Sequence, residues 1–289
     1  MSTPIGMRIP PHIGRQGMEA VVKWAREAGL GALDLPAVNP EAAGLCRQHG
    51  LRIGTVDAGG VARLLSPDAD ARRQAAADVR EQIAGAREIG ASVMFMCLVP
   101  EDRAQSLSTS LSLFAESFPA VASACEEYGV RIAFEGWPGP APHYPTLGCT
   151  PEVWRAMFAA VPSKALGLCF DPSHLIRLGI DYLRVLAEFG DRVYHCHGKD
   201  TDLLPEAQYL YGALPPALSA PAGFSGGAWR YCIPGTGRAD WSRIAYELER
   251  LNYGGCVSVE LEDARYWGSL AQEQAGVGKA RAHLAQWFA

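Results

Sequence analysis

The strongest constraint on the fold is a repeated alternation of short apolar runs with longer amphipathic ones. Eight apolar or β-branched runs predict strands at residues 5–9, 32–35, 51–56, 92–98, 131–135, 166–171, 192–197 and 256–261. Runs rich in Ala, Leu, Glu and Arg predict helices at residues 18–28, 41–49, 68–89, 107–128, 151–161, 175–189 and 241–251. A final helix is predicted over 269–287, interrupted by Gly276 and Gly278. A strand–helix unit therefore repeats along the whole chain.

The boundaries of these units decide between two α/β architectures. Glycines at positions 29, 50, 90 and 129 follow helices and precede strands, as C-terminal cap glycines do. A doubly wound sheet usually opens with a glycine-rich turn, whereas the first strand here runs into Pro10-Pro11-His12. Eight units in 289 residues therefore predict an α/β protein with a (β/α)8 TIM barrel, forming a single domain over residues 1–289.

Composition and charge exclude several classes of protein. The net charge is −5, which argues against a nucleic-acid or anionic membrane surface, and no apolar run approaches the ~18 residues of a membrane span. The N-terminus lacks the pattern of a signal peptide. The eight cysteines include no C-x-x-C pair, so we expect free thiols in a reducing, cytoplasmic setting. A homo-oligomer is compatible with the sequence.

Residues 201–239 break the rhythm between the seventh strand and its helix. A connection of this length is usually functional or disordered, and its Tyr209, Tyr211, Phe224, Trp229 and Tyr231 argue against disorder. We expect an ordered cover over the C-terminal mouth of the barrel. The alternative is a contact between subunits.

Chemistry-bearing side chains end four consecutive predicted strands. These are Glu135, Asp171, His197 and Glu260, and in a barrel of this class such positions converge on one mouth. Buried carboxylates repel one another unless a cation lies among them. Three carboxylates and an imidazole suit Mn²⁺ best, with Mg²⁺, Co²⁺, Zn²⁺ and Fe²⁺ as further candidates. His195 points to the same side as His197 and is expected one layer lower.

Several motifs around these positions resemble those of the xylose-isomerase-like TIM-barrel family of sugar isomerases and epimerases. They are Phe134-Glu135-Gly136, Phe170-Asp171-Pro172-Ser173-His174-Leu175, His195-Cys196-His197-Gly198-Lys199-Asp200, Pro234-Gly235-Thr236-Gly237 with Asp240-Trp241, and Val259-Glu260-Leu261-Glu262. The resemblance spans essentially the whole chain. It implies one divalent metal held by Glu135, Asp171, His197 and Glu260, and a contact of His174 with substrate or metal. Family epimerases that act on free ketoses carry an arginine where this chain has Leu203.

The expected reaction is isomerisation or epimerisation of a non-phosphorylated keto-sugar. A metal-stabilised enediolate forms when a base removes the proton next to the carbonyl, and Glu135 and Glu260 are the expected acid/base pair. A lyase of the same family, such as a keto-inositol dehydratase or a keto-glycoside-cleaving enzyme, shares this opening step and stays as the alternative. Seven histidines and a negative net charge argue against a DNA-repair endonuclease of the same superfamily.

Further residues are expected to contact the sugar. His174 is a candidate donor to a substrate oxygen, although Ser173 and His174 could instead cap the next helix. Lys199 could neutralise an oxyanion, or pair with Asp200 or Asp202. The aromatic side chains of Trp137 and Trp229 fit a sugar pocket, and Arg230 could reach a substrate oxygen; packing within the loops is the alternative for the aromatic residues.

Overall fold

The computed structural model describes residues 3–141 and 143–288, and it contains a closed parallel barrel of eight strands. The barrel strands are β1 (Ile5–Arg8), β2 (Ala32–Leu35), β3 (Arg52–Asp57), β4 (Val93–Met96), β5 (Arg131–Glu135), β6 (Leu166–Phe170), β7 (Val193–Gly198) and, after two further strands, β10 (Val257–Val259). Strand β1 pairs with both β2 and β10, which closes the sheet. The predicted TIM barrel is confirmed.

Helices surround the barrel, and all of them except the short helix Pro205–Tyr211 bury side chains in the structure. They are α1 (Pro11–Gly14), α2 (Met18–Glu27), α3 (Pro40–Gln48), α4 (Ala69–Glu88), α5 (Leu107–Tyr128), α6 (Pro151–Ala160), α7 (Pro172–Arg177), α8 (Tyr182–Phe189), α9 (Pro205–Tyr211), α10 (Trp241–Arg250) and α11 (Leu270–Leu284). Short 3-10 turns cover Val61–Leu65, Gly190–Arg192 and Ala264–Tyr266. The largest core cluster combines strand residues such as Met7 and Leu33 with helix residues such as Val22 and Ile83. Within the described residues, no helix has the length and apolarity needed to cross a bilayer.

Two helix predictions were wrong, and glycine explains both. The run predicted as one helix over 175–189 is divided into α7 and α8, because Gly179 adopts a left-handed φ of +71°. Helix α11, in contrast, continues through Gly276 and Gly278 without a break. A Cβ on Gly276 would lie 2.6 Å from Tyr266 Cβ, so this glycine permits close packing of the helix and does not interrupt it.

The long segment after β7 contains regular structure of its own. Strand β8 (Asp200–Leu203) and strand β9 (Trp229–Cys232) form a two-stranded antiparallel sheet, with α9 between them. Alternation along β9 places Trp229 and Tyr231 on one face and Arg230 and Cys232 on the other. The first face lies toward the C-terminal mouth of the barrel, where Tyr231 contacts His174.

Candidate active site

Four strand ends bring the predicted metal-ligand residues together at the C-terminal mouth. Glu135 is the last residue of β5, Asp171 follows β6, His197 lies within β7 and Glu260 follows β10. The Nδ1 atom of His197 lies 2.7 Å from Glu135 Oε1, 3.3 Å from Glu260 Oε2 and 3.7 Å from Asp171 Oδ2. Parallel strands end at one edge of the barrel, so this convergence follows from the topology. We call these four residues the upper cluster.

A buried lysine faces the upper cluster. Lys199 is 1% exposed, and its Nζ lies 2.5 Å from Glu260 Oε2, 3.1 Å from Asp171 Oδ2 and 3.0 Å from Glu262 Oε2. Burial lowers the pKa of the Lys199 ammonium, but Asp171, Glu260 and Glu262 outweigh burial and raise this pKa well above its usual value. The alternative pairing of Lys199 with Asp200 or Asp202 is not what the structure shows.

An arginine neutralises the opposite side of the upper cluster. The Arg8 guanidinium donates two hydrogen bonds to the Asp57 carboxylate, at 2.9 and 2.5 Å, and its Nε lies 3.5 Å from Glu260 Oε1. It also lies 4.5 Å from the centre of the Phe95 ring. Arg8 and Asp57 were missed from the sequence, although they too end barrel strands, β1 and β3.

The charges at this mouth do not balance. Five carboxylates and two permanently charged basic side chains meet here: Glu135, Asp171, Glu260, Glu262 and Asp57 with Lys199 and Arg8. In addition, Asp171 Oδ2 is buried and accepts no hydrogen bond, although Lys199 Nζ lies 3.1 Å from it. Buried polar atoms of this kind are uncommon and call for an explanation. An oxygen-rich donor set with excess negative charge fits a divalent cation.

His174 adds a second imidazole to the upper cluster. Its Nε2 lies 3.3 Å from Asp171 Oδ2 and 3.6 Å from Glu135 Oε1, while Nδ1 lies 2.7 Å from the hydroxyl of Tyr231. The cap of α7 comes from Asp171, whose Oδ1 accepts from Ser173 N at 2.8 Å. His174 therefore does not serve as the helix cap, and its ring is held at the C-terminal mouth of the barrel.

The predicted sugar contacts divide into two groups. Trp137 and Trp229 line a cavity beside the upper cluster, together with Arg177, Tyr231 and Glu262. Arg230 lies on the opposite face of β9 and donates to Asp202 Oδ2 at 2.8 Å, so the structure does not bring it into the site.

Sequence reasoning missed Arg177 and Glu262 at the same cavity. Arg177 follows His174 by three positions on α7, which places both on one helix face. Glu262 follows Glu260 by two positions in extended chain, which places both on one side. Each spacing is a signal that could have found them.

A second polar cluster lies deeper in the barrel. His195 Nε2 is 3.1 Å from Asp34 Oδ2, and its Nδ1 is 3.7 Å from Cys256 Sγ. Asp34 Oδ1 accepts from Thr55 N at 3.1 Å. The rings of His195 and His197 stand at 90° with centroids 5.2 Å apart. We call Asp34, His195 and Cys256 the lower cluster, and it occupies the layer in which His195 was expected.

Comparisons with known proteins are consistent with this architecture. The family model described as xylose isomerase-like TIM barrel matches residues 12–287. The chain is 33% identical over 101 residues to the uncharacterized protein YfiH of Bacillus subtilis, and 29% identical over 136 residues to the inosose dehydratase of Lacticaseibacillus casei. These matches cover 34% and 47% of this chain but only 31% and 42% of the relatives.

Solved structures match over almost the full chain. The 3-keto-D-glucoside 4-epimerase YcjR of E. coli superposes with a TM-score of 0.69 at 16% identity, covering 98% of this chain and 99% of that one. The IOLI protein, solved with a zinc atom, gives a TM-score of 0.71 at 15% identity and covers 99% of both chains. At such identities the likeness shows the fold alone.

Proposed function

Because the chain belongs to the xylose isomerase-like TIM-barrel family, we propose that it is a divalent-metal-dependent isomerase or epimerase of a non-phosphorylated keto-sugar. One observation carries the proposal. Carboxylate oxygens of Glu135, Asp171 and Glu260 all lie within 3.7 Å of His197 Nδ1, at the mouth where this barrel class holds its chemistry.

The upper cluster fits the metal that the family implies. Glu135, Asp171, His197 and Glu260 would hold it, and Asp171 Oδ2 accepts no hydrogen bond although Lys199 Nζ lies 3.1 Å from it. Three carboxylates with one imidazole favour Mn²⁺, with Mg²⁺, Co²⁺, Zn²⁺ and Fe²⁺ as further candidates. When bound, such an ion polarises a substrate carbonyl and favours loss of the neighbouring proton.

The carboxylates are proposed to transfer protons, and the basic side chains beside them are proposed to stabilise negative charge on the substrate. Glu135 and Glu260 come from β5 and from the end of β10, so each can reach a proton on a bound sugar. The pKa of the Glu260 carboxyl is raised by burial but lowered more by Lys199 and His197, which keeps this group ionised. Lys199 Nζ and His174 Nε2 lie 3.3 Å apart, and both would stabilise the negative charge that develops on a substrate oxygen.

A second candidate is a carbon–oxygen lyase with the same opening step. The buried ammonium of Lys199 favours it, since its positive charge can stabilise the negative charge that develops on a departing oxygen. In that reaction a C–H bond and a neighbouring C–O bond break, a C=C bond forms, and the hydroxyl leaves as water. The similarity to inosose dehydratase over 47% of the chain supports this candidate.

Proton exchange in D₂O tests both candidates in one experiment. Manganese-loaded protein is incubated with free ketoses, keto-inositols and keto-glycosides, and NMR follows the protons on the carbons next to the carbonyl. An isomerase or epimerase incorporates deuterium and gives a stereoisomer, whereas a lyase gives an unsaturated product. Absence of exchange with every sugar, at full metal loading and with an intact fold, would contradict the proposed function.

A further inference from the structure

A cavity of about 350 Å³ lies beside the upper cluster, between the segment after β5 and the segment joining β8 to β9. Its size falls in the range of ligand sites, roughly 300–1,000 Å³. Five aromatic side chains and one carboxylate are among the residues that line it: Trp137, Tyr144, Phe224, Trp229, Tyr231 and Glu262. We call this cavity the aromatic chamber.

The aromatic chamber shares two of its walls with the reactive mouth. The Tyr231 hydroxyl lies 2.7 Å from His174 Nδ1, and Glu262 Oε2 lies 3.0 Å from Lys199 Nζ. A sugar held at the upper cluster can therefore extend directly into the chamber.

The rings of the chamber are held in place by specific contacts. The Trp229 and Tyr231 rings lie 4.8 Å apart, and the Arg177 guanidinium lies 4.2 Å from the centre of the Trp229 ring. A Cβ on Gly226 would lie only 2.4 Å from the Trp229 indole, so the missing side chain leaves room for the ring.

The backbone at two of these rings is strained. Tyr144 and Phe224 have φ of +46° and +57°, in the left-handed region that disfavours residues with a Cβ. Strain of this kind persists where the surrounding structure enforces it, and it concentrates at ligand-binding sites. Both residues line the aromatic chamber.

Several polar side chains of the chamber have partners within the protein. Arg177 donates to the Tyr231 hydroxyl at 2.6 Å, Ser225 Oγ donates to the Trp229 carbonyl at 2.7 Å, and Glu262 pairs with Lys199. A ligand rich in hydroxyl groups would compete with these contacts. A flat apolar group would contact rings and proline edges and need none.

We infer that the aromatic chamber binds an aryl group carried by the keto-sugar, an inference that rests on the proposed function. The class of substrate is then an aryl keto-glycoside and not a free ketose. The sugar lies at the upper cluster, and its aryl substituent lies among Trp137, Trp229 and Phe224.

Binding of unoxidised glycosides tests the chamber without any turnover. Calorimetry with 4-nitrophenyl β-D-glucopyranoside, methyl β-D-glucopyranoside and cellobiose compares an aryl group, a methyl group and a second sugar on one glucose. The aryl glycoside should bind about tenfold more tightly than the methyl glycoside, because a ring contact of this kind is worth up to roughly that factor.

Variants on the segment that joins β8 to β9 locate the effect. Trp229→Ala should abolish the preference for the aryl glycoside, and Trp229→Phe should keep most of it. Tyr209→Ala is the matched control, because Tyr209 lies on the same segment and is 85% exposed. Circular dichroism checks that each variant is folded.

Three results would overturn the inference. They are equal affinity for the aryl and methyl glycosides, tighter binding of cellobiose than of the aryl glycoside, and an aryl preference that survives Trp229→Ala. Failure of the proposed function has a different signature: the Trp229-dependent aryl preference stands, but no sugar exchanges a proton in D₂O.

Discussion

The upper and lower clusters are both buried polar groups inside one barrel, yet their charges are arranged differently. In the lower cluster, Asp34 pairs with His195, and the remaining Asp34 oxygen accepts from the Thr55 amide. In the upper cluster, carboxylates outnumber the basic side chains, and Asp171 Oδ2 accepts no hydrogen bond although Lys199 Nζ lies 3.1 Å from it. Buried polar groups whose partners all lie within the protein stabilise the fold, whereas a cluster with excess negative charge is suited to binding a cation or a ligand.

The pKa shifts depend on neighbouring charges in both clusters. Burial raises the pKa of Asp34, but His195, with smaller contributions from His197 and Arg8, outweighs it, and the net shift is downward. Burial and the Glu260 charge both raise the pKa of Glu135, and it still falls below its usual value because His197 and His174 lie beside it. The upper carboxylates therefore depend on several neighbours at once, and a change in any one of them alters the charge of the whole group.

Metal content should give the largest difference between variants of the upper and lower clusters. His197→Ala removes the imidazole at the centre of the upper cluster, so metal should fall from about one equivalent per chain to a small fraction of it. Elemental analysis of protein purified without chelators measures this. Asp34→Asn, in the lower cluster, should keep the full content. Equal metal loss in both variants, or none in His197→Ala, would contradict the division.

Proton transfer gives the next largest expected effect. Glu135→Gln and Glu260→Gln keep the size of each side chain but remove the group that accepts the proton. Each should lower the rate of exchange in D₂O by about 10²–10⁴-fold, and further if metal is lost. Rates are compared at matched metal content. A variant with full activity would exclude that glutamate from the reaction.

Stability should respond to the lower cluster instead. Asp34→Asn leaves an acceptor for the Thr55 amide but removes the charge that pairs with His195. Breaking a buried pair of this kind costs about 3 kcal/mol or more. The depressed pKa of Asp34 places its contribution above the unfolded pKa of about 3.9, so the full loss is expected at pH 7. Urea unfolding measures it, and an unchanged midpoint would show that the pair contributes nothing.

The barrel and its mouth were predictable because both depend on local patterns. Alternating apolar runs determine the strands, and a residue at the end of a parallel strand must lie at the common edge, as Glu135 and Asp171 do. Period-two alternation also separates His195 from His197 correctly, one layer apart.

Other features depend on contacts between distant segments, which one sequence does not display. The position of Lys199 follows from carboxylates contributed by β6 and by the end of β10, and its neighbour Asp200 was an equally reasonable partner. Arg230 was predicted at the site because the pairing of β8 with β9, which fixes its face, was not foreseen. Gly276 was predicted to interrupt the last helix, because the sequence alone does not show that Tyr266 packs closely against this glycine.

Asp200 gives the smallest expected effect. It is a buried carboxylate that follows Lys199 in the sequence, but the partners of Asp200 are backbone amides and not residues of the upper cluster. Its Oδ1 accepts from the amides of Thr201 and Ala239, at 2.8 and 2.9 Å, while Oδ2 is buried without a partner. Burial raises the pKa of Asp200 to about 6, although these amides act against the rise. Asp200 should therefore behave like the lower cluster and affect stability without affecting proton exchange.

The sign of the pH dependence follows from that raised pKa. Between pH 4 and 6 the folded protein binds the Asp200 proton more tightly than the unfolded chain, whose aspartate pKa is about 3.9. The contribution of Asp200 to the free energy of unfolding thus falls by about 2 kcal/mol as pH rises through this window, and it levels off about one pH unit above the folded pKa. Asp200→Asn keeps the acceptor for both amides and removes the charge, so it should stabilise the protein by about 1–2 kcal/mol at pH 8 and by much less at pH 5.

Urea unfolding at the two pH values measures the difference, and exchange rates in D₂O should stay within about twofold of the wild type. Parallel stability profiles for the two proteins would show that Asp200 does not titrate in this window, and a large loss of exchange would place it with the upper cluster.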